Sequence, residues 1–143
     1  MAIRIVVPDA SVVLKWVLPP ADEPDAAKAL ALRSAIAEES VRAVLPSLWL
    51  YEVGNTVARR FPAQAERWIG ALMRFQLEEE HPSPSWLRSV LHLTDEYGVA
   101  FYDAAYHAVA MVHRGVLVTA DRRYFDRAEG AGAVTLLSDW SPP

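Results

Sequence analysis

Short apolar runs alternate, along a chain of 143 residues, with longer segments whose apolar residues recur at helical spacing. That alternation restricts the chain to α/β architectures built on a mainly parallel sheet, because each helix carries the chain back to the edge where the last strand began. The first run, Ile3-Arg4-Ile5-Val6-Val7, is closed by Pro8 and reads as a strand buried on both faces. Further strands are expected at 42–45, 75–81, 116–119 and 133–137. The 75–81 segment belongs at an edge, where its three successive glutamates meet water.

Helices are expected at 11–18, stopped by Pro19 and Pro20, and at 23–40, with Ala27, Leu30, Ala31 and Ser34 toward the core. Others are expected at 47–60 and at 62–74, the latter opened by Pro62 and striped by Trp68, Ile69, Leu72 and Met73. The last three are 85–97, ended by Gly98, 102–114, ended by Gly115, and 122–128. No repeat, low-complexity tract or linker interrupts the pattern, so residues 1–143 are expected to form one domain.

Hydrophobic residues make up 52% of the chain and charged residues 22%, enough for a sizeable core and against disorder. The absence of cysteine excludes disulfides, thiolate metal sites and a cysteine nucleophile, and it accords with a reducing cytoplasm. The apolar start is too short for a signal peptide, and no window approaches the ~20 apolar residues of a membrane span. A soluble cytoplasmic protein is expected. The net charge of −4, from 14 basic and 18 acidic residues, looks wrong for a nucleic-acid partner. Committing four acids to a metal ion would leave the two signs balanced, so RNA stays open.

Four acids fall at related places in this pattern. Asp9 follows the first strand, and Asp121 lies two residues beyond Thr119 at the end of the fourth. Glu52 is within the helix after the second strand, and Asp103 opens the helix before the fourth. Ligands of open parallel sheets collect outside the carboxyl ends of the strands. Carboxylates gathered there repel one another unless a hard cation joins them, and Mg²⁺ or Mn²⁺ suits both oxygen ligands and phosphate substrates. Each acid also has a commonplace reading. Asp9 could be an N-cap, Asp103 a first-turn charge, Glu52 half of a buried ion pair, and Asp121 a turn residue beside arginine.

Four strings around these acids resemble one family. Val7-Pro8-Asp9-Ala10-Ser11-Val12-Val13-Leu14-Lys15-Trp16 is similar to the opening strand and aspartate of the PIN domain. Leu50-Tyr51-Glu52-Val53-Gly54-Asn55 is similar to its glutamate-bearing helix. Phe101-Tyr102-Asp103-Ala104-Ala105-Tyr106-His107-Ala108-Val109-Ala110 resembles its third and most specific motif, and Leu117-Val118-Thr119-Ala120-Asp121-Arg122-Arg123-Tyr124-Phe125 its fourth. Within the family the chain resembles the VapC toxins of bacterial toxin–antitoxin pairs. The resemblance implies a Rossmann-like three-layer fold, with a central mainly parallel sheet of four to five strands flanked by helices. It implies a Mg²⁺- or Mn²⁺-dependent endoribonuclease with Asp9, Glu52, Asp103 and Asp121 as the catalytic, metal-holding quartet. Ser11, Asn55 and Thr119 would be supporting polar groups. It also implies a cognate antitoxin and a homodimer. Pro8 departs from the family's usual apolar residue, which should adjust the strand's exit without moving the acids.

Other residues have competing readings. Asp126 is expected to be a solvated helix residue, and His107, four residues past Asp103, a packed histidine rather than a base. Lys15, Arg59, Arg60, Arg122 and Arg123 could hold RNA phosphates or simply be solvated. Trp16, Trp49, Tyr51 and Trp68 are expected in the core or an interface. The apolar stretch 47–74 suggests a dimer interface or an antitoxin groove, and such an antitoxin could set an arginine against the acids. The alternatives to a nuclease are a Mg²⁺-binding receiver-like module and a PIN-like relative without activity. Against a receiver, no lysine follows either late strand, since the only lysines are Lys15 and Lys28.

Overall fold

A computed structural model describes residues 2–143. Five strands form one sheet: β1 (Arg4–Pro8), β2 (Val41–Pro46), β3 (Glu78–Glu80), β4 (Val116–Thr119) and β5 (Val134–Leu136), in spatial order β3-β2-β1-β4-β5. Every neighbouring pair is parallel. Seven helices flank the sheet: α1 (Ala10–Leu14), α2 (Ala26–Ala37), α3 (Leu48–Arg60), α4 (Ala65–Arg74), α5 (Pro84–Tyr97), α6 (Phe101–His113) and α7 (Arg122–Ala128). The chain winds outward from β1 to β3, then crosses back to β4 and β5. Right-handed crossovers therefore put α1–α4 on one face and α5–α7 on the other. The helix contacts fall into those two groups, with α1 on α3 and α3 on α4, against α5 on α6 and on α7.

This winding makes β1 and β4 the pair from which the chain departs in opposite directions. A crevice opens at the carboxyl ends of such a pair. Pro8 is the last residue of β1, opposite Val118. It lacks an N–H, but the next residue restores the ladder, Asp9 N–H donating to the Val118 carbonyl at 3.2 Å. The strand's exit is thereby fixed beside β4.

Several expectations needed correction. Helix α2 starts at Ala26 rather than 23, after a 3₁₀ turn over Pro20–Asp22 and a left-handed Asp25. It buries Ala29, Leu32 and Ala35, whereas Ala27 and Ser34 are exposed. Its run of alanine and leucine is apolar on every side, so composition could not select the face, and the strands beneath did. Helix α4 starts at Ala65 rather than 62, and its Met73 is 57% exposed. The edge strand is only Glu78–Glu80, with Glu78 paired to Arg42 on β2. Helix α6 ends before Arg114, which takes the left-handed conformation expected of Gly115. Gly115 is needed for another reason: a Cβ there would lie 2.5 Å from the Ile5 carbonyl oxygen. Among the described residues, no helix is long and apolar enough to cross a membrane.

Candidate active site

Asp9 leaves β1 and caps α1, accepting Ser11 N–H at 3.0 Å and Val12 N–H at 3.4 Å on Oδ1. The Ser11 hydroxyl donates to the same oxygen and accepts Ala120 N–H at 2.9 Å. Thr119, wholly buried, accepts Asp121 N–H at 3.0 Å on its hydroxyl, which also lies beside Asp9 and favours its charged form. Asp121 in turn caps α7, accepting Tyr124 N–H at 3.2 Å. The Ser11 hydroxyl thus stitches the ends of β1 and β4 together, with an aspartate on each. The capping reading of Asp9 is correct, and Asp121, read as a turn residue beside arginine, caps a helix as well; the two caps are how these carboxylates are held in place.

Glu52 reaches the same crevice from the middle of α3, and Asp103 from the first turn of α6. All four acids line one cleft of about 350 Å³, together with Ser11, Asn55, Thr56 and Tyr106. The sequence-derived residues gathered there are therefore Asp9, Glu52, Asp103, Asp121, Ser11 and Asn55. Thr119 stands behind the wall, acting through Asp9. Tyr106 was missed. Its ring is buried, its hydroxyl donates to Glu52 Oε1 at 3.3 Å, and its position three residues after Asp103 was the available signal.

The electrostatics follow from crowding and partial burial. Burial pushes the Asp9 carboxyl up to about 6, against the pull of its hydrogen bonds from Ser11 and Val12 and of the neighbouring Thr119 hydroxyl. Glu52 is pushed up to about 7 by burial first and by the charges of Asp103 and Asp9, with the Tyr106 bond opposing. Asp103 is raised by burial and then by Asp121. Negative charge here lacks compensation, and the donor set is all oxygen, which fits a hard divalent cation. Among the described residues, no three acids or histidines are already closed around a point that would hold a metal ion. The acids line a common cleft without forming a finished ligand shell.

The remaining candidates separate cleanly. His107 is fully buried; its Nε2–H donates to the Gly132 carbonyl at 2.7 Å and Nδ1 accepts the Tyr124 hydroxyl at 2.8 Å. Burial lowers its pKa. It is a packed neutral histidine. Lys15 is buried and paired with Glu23 at 3.3 Å, and so is withdrawn from any RNA contact. Arg122 lies 3.9 Å from Asp126 on the same helix, the expected solvated pair. Arg59 and Arg60 are exposed at the end of α3, and Arg123 is exposed in α7. Trp16 and Trp49 are core residues and Trp68 is half-buried, but Tyr51 is 72% exposed, which leaves it the interface half of the expectation. The exposure follows from the amphipathic turn of α3, which buries Trp49, Val53 and Val57 and leaves the intervening Tyr51 outside.

Among known families, the PIN domain matches residues 6–131. The chain is 34% identical over 97 residues to a protein named Exonuclease VapC9 from Pyrobaculum aerophilum, covering 63% of this chain and 70% of that protein. Its structure is similar to that of PAE2754 from Pyrobaculum aerophilum, with TM-score 0.66, 25% identity and coverage of 96% and 92% of the two chains. It is also similar to a toxin–antitoxin complex from Klebsiella pneumoniae, with TM-score 0.66, 19% identity and coverage of 92% and 97%.

Proposed function

Because this chain belongs to the PIN-domain family, we propose that it is a nuclease, more narrowly a divalent-metal-dependent endoribonuclease acting in the cytoplasm as the toxin of a toxin–antitoxin pair. The observation that carries the proposal is the convergence of Asp9, Glu52, Asp103 and Asp121, from four separate elements, on one cleft. Their uncompensated charge gives a cation a reason to bind and draw them inward.

Mg²⁺ or Mn²⁺ is the ion this oxygen-only set suits, with Asp9, Asp103 and Asp121 as its main holders and Glu52 beside them. Such an ion, when bound, supplies positive charge against the reacting phosphate and eases loss of a proton from water. The protein's own part is positional. Ser11, Thr119 and two backbone N–H groups keep Asp9 from turning away. Tyr106 holds Glu52 from across the cleft, and its own pKa is raised by burial and by these acids, so it remains a hydroxyl and a donor. Asn55, exposed at the rim, is placed to donate to the substrate. The Ser11 and Tyr106 hydroxyls are committed to Asp9 and Glu52 and the acids to the ion, so hydrolysis by water in one displacement is the reaction this set suits.

The curated relative is named an exonuclease, so the mode of cutting needs its own test. Labelled linear RNA and a covalently closed circle of the same sequence are incubated with the protein, in Mg²⁺ or Mn²⁺ and in EDTA. Metal-dependent opening of the circle is the expected result. Shortening of the linear RNA beside an intact circle would replace the endonuclease reading with an exonuclease one. Failure to cut either would favour a PIN relative without activity.

For the partner, the α3–α4 face is the proposed seat, whether of an antitoxin or of a second copy. Phe61 and Trp68 pack there with ring centres 5.2 Å apart, while Tyr51 and Met73 remain exposed. An antitoxin seated beside α3 could reach the acids with an arginine.

A further inference from the structure

A second cleft, of about 280 Å³, adjoins the first and shares Asp103 and Asp121 with it. Its other side carries Arg123 and Arg127. These two are four residues apart in α7, so both guanidinium groups leave the same helical face. Arg127 Nη1 donates to the Gly98 carbonyl at 3.1 Å, which anchors that side chain just ahead of α6. Lys15, Arg42 and Arg122 each have a carboxylate within 4.0 Å, whereas, among the described residues, Arg123 and Arg127 do not. Two unpaired guanidinium groups therefore stand beside the acid pair without neutralising it.

The two sides of the acids differ in chemistry. Beyond the acids, the first cleft offers the uncharged Ser11, Asn55 and Thr56. The second offers donors that match phosphate oxygens in charge and in forked geometry. A polyanion crossing Asp103 and Asp121 would meet positive charge on one side only.

We propose that the Arg123–Arg127 cleft is a backbone-phosphate subsite, holding the phosphate of the nucleotide next to the one that is cut. The proposal rests on the ribonuclease reading for its substrate class. It adds that the RNA must continue past the reacting bond on the α7 side, and that this contact sets affinity and register without reading sequence.

The test is binding of a short labelled single-stranded RNA, followed by fluorescence anisotropy over a range of salt. Ca²⁺ replaces Mg²⁺, and the RNA is checked for integrity afterwards. Arg123→Gln and Arg127→Gln should each weaken binding about five- to tenfold and flatten the salt slope by about 0.7, the loss of one phosphate contact to a single strand. Arg4→Gln, at the amino end of β1 and far from the acids, should change neither. Among the described residues the Arg123 side chain makes no hydrogen bond, so its variant reports on the subsite even if Arg127→Gln disturbs the Gly98 contact. A neutral methylphosphonate at one linkage beside the cut site should weaken wild-type binding to a similar degree and the double variant not at all. Unchanged affinity and slope in both arginine variants, or no RNA binding by the wild type, would overturn the subsite. Binding with these sensitivities, but no cutting in Mg²⁺ or Mn²⁺, would leave the subsite standing and remove the nuclease reading.

Discussion

The Tyr106 hydroxyl donates to the Glu52 carboxylate at 3.3 Å, tying α6 to α3 across the acidic cleft. The bond favours the charged form of an acid that burial and two neighbouring aspartates hold up at about 7. It is the one contact in the cleft that works toward keeping Glu52 ionised near neutrality.

Replacing Tyr106 with Phe keeps the buried ring and removes that donor. The Glu52 carboxyl should then rise further, by on the order of one unit, since a hydrogen bond to a charged group contributes about 1.5–3 kcal/mol. The acid limb of the pH–kcat/KM profile should move to higher pH, with activity at pH 6 falling more than activity at pH 8. A profile that drops evenly at all pH values would mean that the hydroxyl does something other than ionise Glu52.

Asp9 and Glu52 also set how stability depends on pH. Their pKa values are raised on folding, from 3.8 to about 6 and from 4.5 to about 7. The folded protein therefore keeps protons that the unfolded chain has released, and stability declines as pH rises through that interval. Metal-free protein should melt several degrees lower at pH 8 than at pH 5. Between pH 5 and pH 8 Asp9 would account for on the order of 1 kcal/mol, because part of its interval lies below pH 5, and half-buried Glu52 for a similar amount after allowance for its exposure. If Mg²⁺ or Mn²⁺ binds the charged acids, as proposed, its stabilising effect should grow over the same range. Calorimetry at both pH values, with metal and with EDTA, measures each effect. A metal effect equal at pH 5 and pH 8 would separate these acids from the ion.

How much of this was legible beforehand depends on what each residue's neighbours could announce. Asp9 and Asp121 follow strand ends, and period and punctuation place strand ends well, so their meeting was readable. Glu52 and Asp103 lie on helices, and the helical stripes carried them to the same edge. Thr119 was singled out only by resemblance; that its hydroxyl takes the Asp121 N–H while lying beside Asp9 depends on the β1–β4 register, which no local pattern encodes. Tyr106 was overlooked because a tyrosine amid Ala104, Ala105, Ala108 and Val109 reads as core, and its ring is core. Lys15 looked available because it is among the basic residues nearest the acidic edge in sequence, but it pairs with Glu23, which follows the turn at Pro19 and Pro20. The face of α2 was illegible for the opposite reason, too many equally apolar candidates.

Asp103 sits in the first turn of α6, on the exposed side of the cleft, and Asp121's charge is one cause of its raised pKa. Asp103→Asn relieves that repulsion at almost constant volume. Metal-free melting temperature should stay the same or rise slightly, whereas RNA cleavage should fall on the order of a thousandfold and metal-dependent stabilisation should shrink. Near-normal cleavage by a folded Asp103→Asn protein would take Asp103 out of the reaction.

Thr119 gives the sharpest separation of fold from site. Thr119→Val keeps the buried shape but leaves the Asp121 N–H without its acceptor and removes the hydroxyl beside Asp9. An unsatisfied buried donor costs about 1–3 kcal/mol, which lowers the melting temperature by about 2–4 °C for each kcal/mol in a chain of this size. Losing a hydroxyl that favours the charged form also raises the Asp9 pKa further, so metal affinity at pH 7 should drop as well. Thr119→Ser restores the hydroxyl while removing a buried methyl group, worth about 1 kcal/mol. It should therefore recover metal affinity without fully recovering stability. Metal titrations and melting curves of the two variants, side by side, decide between a hydroxyl that serves the acids and one that merely closes the end of the sheet; if valine binds metal as well as the wild type, only the second role remains.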